Sequence, residues 1–220
     1  MIRIMLKALS YDMRTSMLSL ERETEIFVRQ KRELAELFGF ETRNKYEITR
    51  RDKTLLAYAA EQSKGLMGLI GRQFLGHWRS FDLLIFNPQR QVIYRAHHPF
   101  RFFFQRLELY DAQGRHLGAA QKRFAFLYKK FDIQGPQGQT VMEVSSAPWK
   151  LWTFPFTRNG RDVAILKKKW AGLLNEAFTD KDSFHIDFSD PGLSNDDRLL
   201  TLVSAIFIDL MYFEKKANES

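Results

Sequence analysis

Lys167-Lys168-Lys169-Trp170 is the run in this sequence best suited to meeting a charged partner: three ammonium groups followed by an indole. Trp is amphipathic and settles in the headgroup layer of a bilayer, while each cation near an anionic surface contributes about 1 kcal/mol. Arg101 and Arg106 are further anion-binding candidates. Lys122, Arg123, Lys129 and Lys130 would extend a basic face if the fold brings them together. A lone acid, Asp209, stands inside an otherwise apolar stretch. An unpaired buried carboxylate is too costly to keep, so it must find backbone amides, or an Arg or Lys reaching in from a strand. Catalytic chemistry finds no footing. There is no Cys, no Gly-x-Ser-x-Gly and no His-Glu-x-x-His, and the Gly65, Gly68, Gly71 spacing lacks the Gly-Lys-Ser/Thr of a phosphate-binding loop. His97 and His98 are adjacent on an expected strand and point to opposite faces, which opposes joint metal ligation. His185 beside Asp187 reads as a solvated pair on a strand's outer face.

The scaffold for these groups follows from pattern. At 220 residues with 45% apolar side chains the chain fits one large domain with a full core. Twenty Phe against 12 Gly and 6 Pro favour strands. Arg51-Asp52-Lys53, Asn87-Pro88-Gln89, Asp111 to Gly114, Gly135 to Gly138 and Arg158-Asn159-Gly160 are turn signals between alternating apolar runs. The runs include Phe81, Leu83 and Ile85; Phe102 and Phe104 opposite Phe103; Phe124 and Phe126; and Phe131 and Ile133. About eleven or twelve strands result, with a two-turn helix at Lys31–Phe38 and a long connection over Gly65–Gly76.

The last element is a helix over 195–213. Ser194 three residues before Asp197 is a capping-box start, and from Leu199 to Phe213 only Thr201, Ser204 and Asp209 are not apolar. A helix apolar all round is buried on every side. Its fifteen apolar-run residues span roughly 22 Å, short of the roughly 30 Å hydrocarbon core. The expected architecture is therefore mainly β: a closed antiparallel barrel of about twelve strands around a hydrophobic C-terminal helix. Residues 1–24 form an N-terminal arm, 25–216 one domain and 217–220 a tail. Charge is uneven: between residues 44 and 134 there are 16 basic and 7 acidic side chains, a net of +9 against +8 for the whole chain. Such a middle third suits anionic lipid or nucleic acid. The lack of Cys fits a reducing compartment, and the charges at Arg3, Lys7, Asp12 and Arg14 interrupt any signal-peptide core.

The chain resembles the phospholipid scramblase family. Asn44 to Ile48, Ala59-Ala60-Glu61, Lys169 to Gly172, Glu176 to Phe184 and Phe207 to Glu214 follow its pattern in order, from about residue 25 to 214. The resemblance implies a tubby-like fold, association with bilayers and, in some members, calcium-dependent transbilayer movement of phospholipid. It implies a lipid translocator rather than a chemical catalyst, cytoplasmic and peripheral at the membrane. The second reading is a tubby-type module for phosphoinositide headgroups or nucleic acid. The family's proposed calcium loop maps onto Asp180–Pro191, with Asp180 and Asp182 in register and Asp187 and Asp190 as further acids. Phe184, Ile186 and Pro191 occupy ligand positions of that twelve-residue loop. Vertebrate members carry a palmitoylated Cys-rich run, which has no counterpart among these residues.

Overall fold

The computed structural model describes residues 17–31, 42–63, 80–150, 152–168 and 183–213. Twelve strands follow one another: β1 (Glu25–Gln30), β2 (Thr42–Thr49), β3 (Leu55–Ser63), β4 (Phe81–Phe86), β5 (Val92–His98), β6 (Arg106–Asp111), β7 (His116–Arg123), β8 (Lys129–Gln134), β9 (Thr140–Ser146), β10 (Thr153–Arg158), β11 (Arg161–Lys168) and β12 (Ser183–Asp187). Each pairs antiparallel with its sequence neighbours. Pairing of β1 with β12, Val28 opposite Phe184, closes the barrel. Closure removes both free sheet edges, the usual weakness of an all-β chain. The expected architecture is thus the observed one.

Alternation explains the walls. In β6 Leu107 and Leu109 are buried between half-exposed Arg106, Glu108 and Tyr110, and β9 buries Met142 and Val144 with Glu143 outside. The lumen is too wide for side chains alone to fill, and α1 (Asn195–Tyr212) fills it. Every residue from Arg198 to Met211 is buried. Burial at about 1.5–3 kcal/mol per large apolar side chain makes this helix the centre of the core. It runs closest to β7, where Gly118 adopts φ +145° and a Cβ would stand 2.2 Å from the Gln134 carbonyl and 3.0 Å from Leu200. Only glycine fits there.

The start of α1 is pinned as its residues require. Ser194 accepts from the Asp197 N–H and Asp197 accepts in return from the Ser194 N–H. Arg158 pairs with Asp197 at 2.7 Å. Arg198 is buried, donates to the Leu193 carbonyl at 3.1 Å and to the Glu23 carbonyl, and lies over the Phe188 ring. Leu18 and Leu20 join the core and the Leu20 N–H donates to Asn195 Oδ1 at 2.7 Å. The packed domain therefore begins inside the stretch assigned to the N-terminal arm. The expected Gly65–Gly76 connection, and the Lys31–Phe38 helix from its second residue on, lie outside the described residues.

One strand assignment changes. Phe102, Phe103, Phe104, Phe124 and Phe126 read as alternating strand residues, yet 99–105 and 124–128 are loops and all five rings are exposed. Their strands end where pairing ends: β5–β6 pairing stops at His97 opposite Glu108, and β7–β8 at Arg123 opposite Lys130.

Candidate functional site

Because the strands run up and down in sequence order, the connections segregate to two ends. One end carries the turns β2–β3, β4–β5, β6–β7, β8–β9 and β10–β11, and all five sequence turn signals fall there. Asn159 and Gly160, both with positive φ, turn β10 into β11. The Lys53, Arg90, Gly114 and Gly138 N–H groups each close a tight turn. The start of α1 lies at this end.

The opposite end is built differently. Its described loops, 99–105, 124–128 and 147–150, present Phe126 at 91% exposure, Phe124 at 81%, Phe103 at 80% and Trp149 at 74%. Phe100, Phe102, Phe104, Leu127 and Tyr128 stand out beside them. Phe100 and Phe102 meet edge-on at 4.9 Å, and Tyr128 meets Trp149 at 6.5 Å. Phe104 holds φ +52°, a strained conformation for a bulky residue, so the loop keeps its ring outside at a local cost. A Gln121 side-chain N–H donates to the Phe104 carbonyl at 2.7 Å and fixes that loop. Single exposed apolar residues are ordinary, whereas a group of this size on one end marks a contact surface.

Cations ring the same end. Arg101 lies exposed in the aromatic loop; Lys122 and Arg123 end β7, Lys129 and Lys130 begin β8, and Lys167 and Lys168 end β11. Three of them converge on the last turn of α1, which has no basic residue of its own. Lys122 lies over the Tyr212 ring at 5.3 Å, Lys129 over Tyr212 at 4.8 Å, and Lys168 over Phe213 at 4.6 Å. Ammonium groups there complement the helix's negative C-terminal end as well as the ring faces. Burial lowers the Lys122 pKa below the usual lysine value.

The sequence candidates divide between this surface and the interior. Asp209 is buried, and its carboxylate pairs with Lys168 and accepts from the Tyr46 hydroxyl at 3.3 Å. Lys168 is thereby withdrawn from the proposed anion-binding run: its side chain is 8% exposed and its charge is met inside. Arg106 is likewise engaged within the wall, by Glu108 at 2.9 Å and by Gln134 at 2.6 Å. Arg101 and Lys167 remain exposed. Lys169 and Trp170 lie outside the described residues, as do Asp180 and Asp182. Asp187 pairs in β12 opposite Glu25, and Asp190 accepts from the Gly192 N–H at 2.8 Å in the turn before α1. Phe184, at a ligand position of the expected calcium loop, is buried in the core, so the described half of that segment does not fit such a loop. Among the described residues no group of three or more His, Asp or Glu is placed to hold a metal.

The described histidines lie beside aromatics and acids. His97 contacts Asp82 at 2.7 Å on the outer wall, beside Arg95, whereas His98 is buried and stacked on Phe81 at 4.7 Å. Burial, and then Lys167, lowers the His185 pKa, and its ring stacks on Phe27 at 5.5 Å. Sequence reasoning missed the exposed rings and Trp149. The available signal was Phe102-Phe103-Phe104, where both faces of a supposed strand would have been aromatic, flanked by Arg101 and Arg106.

Among the described residues no helix is long and apolar enough to cross a membrane. A family model described as Scramblase matches residues 5–215. Human phospholipid scramblase 1 is 30% identical over 213 residues, covering 89% of this chain and 64% of its own length. Bovine phospholipid scramblase 2 is 28% identical, covering 89% of this chain and 70% of its own. The yeast protein "Altered inheritance rate of mitochondria protein 25" is 23% identical, covering 91% and 73%. This chain thus spans less than two thirds of the human scramblase it matches. A solved structure of a protein from Arabidopsis thaliana superimposes with a TM-score of 0.50 at 10% identity, covering 89% of this chain and 98% of that one, which is a likeness of fold. With the model matched over nearly the whole chain, the protein belongs to the scramblase family.

Proposed function

We propose that the protein binds phospholipid membranes peripherally, by laying the aromatic end of its barrel on an anionic bilayer. The observation that carries this reading is the concentration of exposed rings on the loops of one end. Tyr128 and Trp149 suit the headgroup layer and the Phe rings the acyl boundary beneath it, and the exposed cations Arg101, Lys130 and Lys167 around them would meet lipid phosphates. The names of the mammalian relatives support phospholipid as the partner. Transbilayer movement is a further step in the same reading. Among the described residues α1 fills the lumen, so movement would not run through the barrel. Flotation with neutral and anionic vesicles tests docking; binding to anionic vesicles that weakens with salt supports it, and equal binding to neutral vesicles removes its electrostatic part. Reconstitution with a lipid-flip assay, with and without calcium, tests whether movement follows.

A further inference from the structure

Between the 99–105 and 124–128 loops lies a cleft of about 280 Å³. Phe102, Phe103, Phe104 and Phe124 form its apolar sides, and Met211 from the end of α1 and Lys122 lie deeper. Lys122 is half-buried on the lumen side of β7. Among the described residues its ammonium group lies over the face of Tyr212 at 5.3 Å and has no carboxylate partner. Neighbouring Arg123, by contrast, is paired with Asp132 at 3.3 Å. Beyond that ring and the nearby helix terminus no anionic side chain meets it among the described residues, and an anion delivered to this partly desolvated cation would form a charge-assisted hydrogen bond in a low-dielectric setting. The rings nearer the mouth offer such an anion an apolar continuation.

We infer that this cleft takes the headgroup of one anionic phospholipid, phosphate against Lys122 Nζ, with the start of an acyl chain along Phe102 to Phe104 and Phe124. The volume is just under the roughly 300–1,000 Å³ usual for a small-molecule site, enough for a small headgroup and the start of one chain but not a whole two-chain lipid. The occupant therefore enters head first, and its chains remain on the side where the exposed rings point. This assignment rests on the docking reading for which way the end faces, but it is a separate, saturable site for a single molecule.

Calorimetric titration with monomeric dihexanoyl phosphatidic acid tests it, beside vesicle flotation of the same proteins. The parent should bind this lipid one to one, dihexanoyl phosphatidylcholine more weakly, and inorganic phosphate not measurably. Lys122→Gln should weaken phosphatidic acid binding about tenfold or more, and Lys122→Arg should retain it. Circular dichroism confirms that both variants are folded. Unchanged binding by Lys122→Gln, or equal binding of inorganic phosphate, overturns the cleft while leaving vesicle docking intact. Saturable, Lys122-dependent binding of the monomer by a protein that does not float with vesicles supports the cleft and removes the docking reading.

Discussion

The two ends of this barrel solve opposite problems. At the turn end, short connections with positive-φ residues satisfy their own backbone groups, and charged side chains are matched: Arg50 with Glu23, Arg115 with Asp111, Arg158 with Asp197. At the other end, longer loops hold nine large apolar side chains in the open, and the adjoining strand ends collect lysines around the helix terminus. A chain selected only for stability would have little reason to expose those rings. If the aromatic end is the docking surface proposed above, stability and recognition are spatially separated, and variants at the two ends should fail in different ways.

The largest effect is expected at the junction of the two tasks, Asp209. Removing its carboxylate strands the Lys168 ammonium beneath the aromatic end. Asp209→Ala should cost about 3–5 kcal/mol in chemical denaturation, since breaking a buried pair leaves an uncompensated charge. Asp209→Asn should cost less, because Tyr46 and Lys168 still find an acceptor oxygen. Equal midpoints for both variants and the parent would remove the pair from the account.

Gly118→Ala should come next, by about 1–3 kcal/mol, because the added Cβ meets the Gln134 carbonyl and Leu200. It should leave vesicle binding per folded molecule unchanged. Loss of binding by a well-folded Gly118→Ala would mean that the wall and the aromatic end are coupled. At the aromatic end itself, Arg101→Gln and Lys130→Gln should each weaken binding to anionic vesicles by about 1 kcal/mol at low salt, and by much less at high salt. A salt-independent loss would make their role one of packing.

The smallest effect is a pH dependence confined to the turn end. Burial pushes the Asp111 carboxyl up, but bonds from the Arg115 guanidinium and from the Arg115 and Gln113 N–H groups outweigh it and hold it below the usual aspartate range. A depressed folded-state value stabilises the protein above the unfolded pKa, and that contribution is lost as pH falls through the folded value. Arg115→Gln should therefore lower the denaturation midpoint at neutral pH and lose this difference in acid. A difference that grew in acid would contradict the assignment.

Legibility from sequence follows the same division. The turn end was readable because tight turns restrict residue type: Asn159-Gly160 and Gly138 announce their backbone shapes. The helix was readable because an apolar surface without a polar stripe has only one home in a barrel, and Ser194 with Asp197 marked its start. Asp209 was recognisable as an acid needing a partner; that the partner was Lys168 required the end of β11 to be placed beside the end of α1. The aromatic end is hidden in the sequence because Phe102 to Phe104 and Phe124 with Phe126 alternate as strand residues do. What excludes them from the sheet is where pairing stops, a property of neighbouring strands and not of the run itself. Likewise, what separates Arg106 from Arg101 is its place in β6, which brings Glu108 and Gln134 within reach.

Docking of one barrel end on lipid can be read out by flotation of three proteins with anionic vesicles. These are the parent, a Phe103→Ser, Phe124→Ser, Phe126→Ser variant, and a turn-end control with Lys53→Gln and Arg161→Gln. The parent and the control should float alike. The triple variant should bind at least about tenfold more weakly, since each ring withdrawn from the interface removes apolar burial, while its stability stays within about 0.5 kcal/mol of the parent. Undiminished flotation of the triple variant, or loss confined to the turn-end control, would contradict docking by this end.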